Sequence, residues 1–188
     1  MLSGMISSVT AGLGGGGTTA DVYSDKTDDN FGIGEGLAFH ADALDNIALG
    51  ENALNSTTGA ATNNIAIGSD VLTALTVGDN NIGMGQYTMD ALTTGTGNIA
   101  MGYSALSAED DADASIAIGY EALKVQNSGA TIADNVAVGY QAGLDIVIGM
   151  KNVALDNYAL GNCNDVDNCV AIGYTACGGG VMTDTNSG

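Results

Sequence analysis

The sequence predicts an all-β fold, a parallel β-solenoid of about nine coils of 16–20 residues. Three observations carry that expectation. A short motif recurs, beginning at Asn30, Asn46, Asn64, Asn81, Asn98, Ser115, Asn135, Asn152 and Cys169. Within each copy large and small residues alternate, and with one exception each copy has a glycine at the same place. A period near 17 is too short for helical repeats of about 33–47 residues or propeller blades of about 40. A coil of short strands and turns fits it.

Let the first motif residue be position 0. Positions 1 and 3 are then large and apolar: Phe31 and Ile33, Ile47 and Leu49, Ile65 and Ile67, Ile82 and Met84, Ile99 and Met101, Ile116 and Ile118, Val136 and Val138, Val153 and Leu155, Val170 and Ile172. Position 2 is Ala or Gly throughout. Such alternation marks a strand, and β-branched residues suit a pleated surface. Stacked coils put like positions over one another, so the ladders at positions 1 and 3 are expected to form the structural core. Position 4 holds the turn glycines Gly50, Gly68, Gly85, Gly102, Gly119, Gly139 and Gly173, where a positive φ is expected; Asp156 replaces one of them. The leading Asn is assigned to a turn, bonding nearby backbone. A second apolar pair, as in Ala105-Leu106 and Ala122-Leu123, predicts a second short strand. At about 4.8 Å per coil the rod is roughly 40 Å long.

The repeat domain spans 30–177. Residues 1–29, with Gly14 to Gly17 followed by Asp21, Asp25, Asp28 and Asp29, read as a flexible or adaptor segment, and 178–188 as a Gly-rich polar tail with no evident cap for the last coil. Three basic residues (Lys26, Lys124 and Lys151) face 22 acidic ones, a net charge of −19. That balance repels nucleic acid and opposes an anionic membrane surface, while keeping a repetitive β-protein soluble. No apolar run reaches the length of a membrane span, so no membrane insertion is expected. The first twelve residues lack a basic leader region, so no secretory signal is expected.

No residue is assigned a catalytic, cofactor-binding or metal-binding role. Gly14 to Gly17 lack the Lys of a phosphate loop and read as a linker. His40, the only histidine, has no nucleophile near it in sequence to complete a triad. Glu109, Asp110, Asp111 and Asp113, and the run from Asn162 to Asp167, offer oxygen ligands. They match no calcium-loop pattern and read as solvated loops. Cys163, Cys169 and Cys177 are spaced C-x5-C-x7-C, unlike common zinc patterns. They read as packed thiols, with a disulfide within or between chains as one alternative and a metal site as another. Tyr103, Tyr120, Tyr140 and Tyr174 share position 5 and should form a partial column, either a contact surface for carbohydrate or protein or a structural ladder. The connections 107–114 and 124–134 vary most between copies.

The stretches NIAMGYSAL (98–106), SIAIGYEAL (115–123) and CVAIGYTAC (169–177) follow N-[IV]-A-[ILMV]-G-Y-x-A-L. Across 30–177 this resembles the YadA-like head repeat of trimeric autotransporter adhesins, as also found in bacteriophage tail fibres. The coil lengths and Asp156 depart from it. The resemblance implies a left-handed parallel β-roll, a homotrimer and a role in attachment. With neither export signal nor anchor in view, the expectation is a virion appendage. Its partners would be copies of itself, other virion or fibre proteins and a host cell-surface receptor. The head of a bacterial surface adhesin is the alternative. A polysaccharide-degrading fibre enzyme ranks below both, because it needs a carboxylate pair and the acidic residues fall in loops.

Overall fold

The computed structural model describes residues 21–24, 29–37, 39, 42–129 and 132–177. His40, Gly14 to Gly17 and the tail lie outside them. The described residues hold ten strands and no helix. β1 (Asp21–Ser24), within the expected adaptor segment, pairs antiparallel with β2 (Phe31–Gly34). From β2 onward the pairing is parallel, in sequence order: β3 (Ile47–Leu49), β4 (Ile65–Ile67), β5 (Ile82–Met84), β6 (Ile99–Met101), β7 (Ile116–Ile118), β8 (Val136–Val138), β9 (Val153–Leu155) and β10 (Val170–Ile172). The register sets motif on motif, with Ile99 opposite Ile116 and Ala100 opposite Ala117. The fold is a β-solenoid.

The interior reverses the expected faces. Ala48, Ala66, Ala100, Ala117 and Ala137 of position 2 are fully buried. The side chains assigned to the core at positions 1 and 3 point outward instead. Ile65, Ile67, Ile82, Met84, Ile99, Met101, Ile116, Ile118, Val136, Val153, Leu155 and Leu49 are half-buried, whereas Ile47, Val138, Val170 and Ile172 are exposed. Space decides the choice. A Cβ added at Gly83 would come within 2.6 Å of Val71 Cγ1 and 3.2 Å of Met89 Cε. Behind most of the strands stand apolar residues of positions 7 and 8, and only Ala or Gly fits between the two walls.

That pair is not a second strand. Residues such as Ala105-Leu106 and Ala122-Leu123 lie in turns. Leu54, Leu72, Leu106, Leu123 and Leu160 take φ of 50°, 52°, 53°, 49° and 52°, the left-handed region that Leu rarely visits. The conformation turns each Leu into the coil, where all five are fully buried. Burial of a Leu side chain, worth about 1.5–3 kcal/mol, offsets the backbone cost. The glycines of position 4 also have positive φ, 131° at Gly102 and 139° at Gly119. A Cβ on Gly102 would lie 2.3 Å from the Gly119 carbonyl oxygen of the next coil, so stacking itself excludes a side chain.

The leading Asn also differs from expectation. Asn46, Asn64, Asn81, Asn98, Asn135 and Asn152 are almost entirely buried, and their carboxamides form an internal ladder. Each Oδ1 accepts the backbone N–H of the residue above, at 2.9 Å from Asn64 to Asn81 and from Asn81 to Asn98. Each Nδ2 donates to a backbone carbonyl of its neighbourhood, such as Asn81 to Gly95 at 2.7 Å. These bonds satisfy polar backbone that the narrow coil would otherwise bury unpaired.

Ser115 interrupts the ladder because its side chain is too short. Gln126, fully buried, fills the gap: its Nε2 donates to Ser115 Oγ (3.1 Å) and its Oε1 accepts from Asn135 Nδ2 (2.8 Å). Gln126 Nε2 also donates to Glu109 Oε2 at 2.9 Å.

Candidate functional site

The tyrosines that follow the strands form a column along one face. Tyr103, Tyr120, Tyr140 and Tyr174 come directly after the turn glycine. Tyr87 and Tyr158, which sequence reading left out, complete the column from position 6, one residue later. Their φ of 58° and 59° swings the rings back into line. Centroids are 5.2 Å apart from Tyr103 to Tyr120 and from Tyr120 to Tyr140, with planes only 13° and 8° from parallel. At the ends the rings meet edge to face: Tyr87 on Tyr103 at 5.9 Å, Tyr140 on Tyr158 at 5.3 Å and Tyr158 on Tyr174 at 6.0 Å. Parallel strands stack about 4.8 Å apart, which imposes this geometry, and such pairs contribute about 0.5–1.5 kcal/mol each.

The rings remain accessible, from 36% for Tyr87 and Tyr158 to 67% for Tyr174. The stacked inner rings cover one another's faces and offer edges and hydroxyls. The end rings offer faces. Beside the column Lys124 Nζ donates to Glu121 Oε1 (2.6 Å) and Gln141 Nε2 to Glu121 Oε2 (2.6 Å). The Lys124 and Gln141 hydrogen bonds hold the Glu121 carboxyl below its ordinary range. A cleft of about 390 Å³ opens where the column turns edge-on, lined by Gln141, Leu144, Asp145, Tyr158, Asn162, Tyr174 and Thr175 among others. Aromatic surface with amide, hydroxyl and carboxylate groups around it suits recognition of a polar partner.

Asp110, Asp111, Asp165 and Asp167 are exposed, as expected of solvated loops, and Glu109 is the exception. Glu109 is fully buried. Its Oε1 accepts from the backbone N–H of Asp110 (3.2 Å) and Ala112 (3.1 Å), and its Oε2 from Gln126. Carboxylate oxygens of Glu109, Asp110 and Asp111 come within 4.8 Å of one another, yet the N–H groups already occupy Glu109. Asp79, Asp113 and Asp167 stand at one repeat-equivalent loop position. Each accepts a backbone N–H from the preceding coil, those of Thr62 (2.7 Å), Thr96 (2.6 Å) and Met150 (2.7 Å). They serve the stacking of coils. The three cysteines gather at the last described coil, with Cys163 buried, Cys169 half-buried and Cys177 exposed.

Comparison of the chain with models of known protein families, with curated proteins and with solved structures found no match.

Proposed function

We propose that this protein is a structural attachment protein, a segment of a trimeric fibre or appendage of a bacteriophage virion. In this reading it acts as a stiff spacer and presents the tyrosine column to a receptor. The observation that carries the proposal is the outward ladder of positions 1 and 3. Its Ile, Val, Leu and Met side chains form a continuous apolar strip along β2 to β10, left half-buried or exposed by the single chain. An apolar strip of this extent marks an interaction surface. A second and third copy with parallel axes would cover it with the same side chains in the same register. The net charge of −19 disfavours a polyanionic partner on the remaining surface. The lining of the cleft holds one carboxylate, Asp145, where glycoside hydrolysis uses two; this favours binding over cleavage.

Native mass measurement tests the assembly. Three chain masses, falling to one in an Ile99→Asp, Ile118→Asp double variant that keeps its circular-dichroism spectrum, is the expected result. A stable single chain in the unsubstituted protein overturns the trimer. Loss of virion adsorption to host cells in a Tyr158→Ala, Tyr174→Ala variant of unchanged mass and stability would support a receptor contact. Full adsorption would leave the spacer role alone.

A further inference from the structure

On the tyrosine face the residue at position 9 of a coil lies beside the residue at position 6. The ion pair of Lys124 Nζ with Glu121 Oε1, at 2.6 Å, spans those two places. Two neighbouring columns therefore run along the solenoid. Position 9 holds Thr73, Asp90, Ser107, Lys124 and Leu144, and then Gly161. At Gly161 the column loses its side chain, and the cleft of about 390 Å³ opens there. The three atoms nearest a Cβ built on Gly161 are all backbone of Tyr158, in its own turn, at 3.0–3.5 Å. No atom of another coil stands as close, in contrast to Gly102, where the Gly119 carbonyl oxygen fills the place.

The walls of the cleft are Leu144 and the Tyr158 and Tyr174 rings, whose centroids stand 6.0 Å apart at 87°. The Asp145 carboxylate and the Gln141 amide also line it. Among the described residues the one ion pair is that of Lys124 with Glu121, so Asp145 has no cation of the chain beside it.

We propose that this cleft seats a lysine or arginine side chain from a basic segment of the attachment partner. The inference rests on the reading of the tyrosine column as a contact surface and names the chemistry of what it contacts. Lys124 supplies the pattern within the chain itself. Its ammonium stands at position 9 beside the tyrosine column and donates to a carboxylate. Two coils further on, the same column offers an empty place, two rings and a carboxylate, and it lacks the ammonium. Leu144 suits the methylene stem of an incoming side chain. The faces of the end rings attract a cation, and Asp145 accepts a charge-assisted hydrogen bond from it. The net charge of −19 draws a basic segment toward the surface and raises its rate of encounter.

The test adds a glycine-rich hexapeptide with two lysines, blocked at both ends, to the full chain. Calorimetry measures its affinity, and amide chemical shifts locate it. The expected result is a set of shifts centred on Gly161 and Thr175, with an affinity that falls at least threefold as salt rises from about 20 to about 200 mM. Acetylation of both lysine Nζ groups should abolish binding. Asp145→Asn should weaken binding about tenfold. Gly161→Gln, which fills the cleft at unchanged net charge, should do the same, and Lys124→Ala should leave binding unchanged. If Gly161→Gln fails to fold, Asp145→Asn still decides. Equal binding of the acetylated peptide overturns the proposal. So does equal binding by the Asp145→Asn variant, which would show attraction to the acidic surface in general. A neutral oligosaccharide such as maltotriose that shifts Gly161 where the lysine peptide does not would also overturn it. Absence of peptide binding overturns the cationic chemistry even where the Tyr158→Ala, Tyr174→Ala variant fails to adsorb. Peptide binding alongside full adsorption by that variant upholds the chemistry of the cleft and overturns its part in attachment.

Discussion

At Ala117 one methyl group fills the space between strand and opposite wall. Ala117→Leu should destabilise the fold by about 1–3 kcal/mol or more, because the coil has no room for a larger group. Ile118→Asp should behave oppositely. Its side chain points away from the coil, so the secondary structure survives and self-association is lost. Thermal melts and native mass on the two variants separate these outcomes, and equal loss of stability in both would contradict the assigned faces. Asp90 shows a second residue-scale effect. Its Oδ1 is buried without a hydrogen-bond partner, and burial raises its pKa from the ordinary value near 3.8, partly offset by a backbone hydrogen bond, with the Asp70 charge adding to the rise. A raised carboxyl pKa means the charged form opposes folding above that pKa, and the penalty fades as pH falls from the raised pKa toward 3.8 and is absent below it. Asp90→Asn should therefore stabilise the protein at pH 7, by up to about 1 kcal/mol, and give no gain at pH 3. Urea titrations at the two pH values measure both terms.

At the scale of one coil, the turn after the strand does most to shape the surface. Its glycine must accept a positive φ, and the residue after it launches the tyrosine column. Asp156 breaks this rule at φ 96°, and in the same coil the tyrosine shifts to position 6 as Tyr158, with Asn157 Oδ1 accepting the Tyr140 N–H at 2.8 Å. The edge-on packing and the cleft follow from that shift. Asp156→Gly should relieve the strain and raise stability by about 1 kcal/mol, net of the bond from Asn157 N–H to Asp156 Oδ1 at 2.7 Å. A melt that moves downward would show that the Asp side chain holds the turn together.

Across the whole molecule each coil touches only its neighbours, so stability should be close to a sum of coils and interfaces. Deleting residues 81–97 removes one whole repeat and brings Asn98 onto Asn64. That variant should fold with a small loss in denaturant midpoint. Deleting 115–134 also restores an unbroken Asn ladder, from Asn98 to Asn135, yet it removes Gln126 and leaves the Glu109 carboxylate buried against Ile146. A buried acceptor stripped of its partner costs about 1–3 kcal/mol, more when charged, so the second deletion should be clearly the worse. Equal losses would mean that the Glu109–Gln126 pair carries no weight.

The sequence by itself determined the solenoid, its period, its register and the turn glycines, because each is written as a repeated residue at a fixed spacing. Tyr103, Tyr120, Tyr140 and Tyr174 were legible for the same reason, whereas Tyr87 and Tyr158 were hidden by a one-residue shift that only backbone conformation absorbs. Alternation of large and small residues separates two faces but does not say which one is inside. Only the tertiary structure decided that, through the width of the coil: Ala117 fits against the leucine wall, and Ile116 and Ile118 do not. The role of the leading Asn was closed to sequence reading too, since its partners are other asparagines 16–18 residues away. The exchange of Ser115 for Asn is intelligible only once Gln126, eleven residues on, is seen to reach into the same gap.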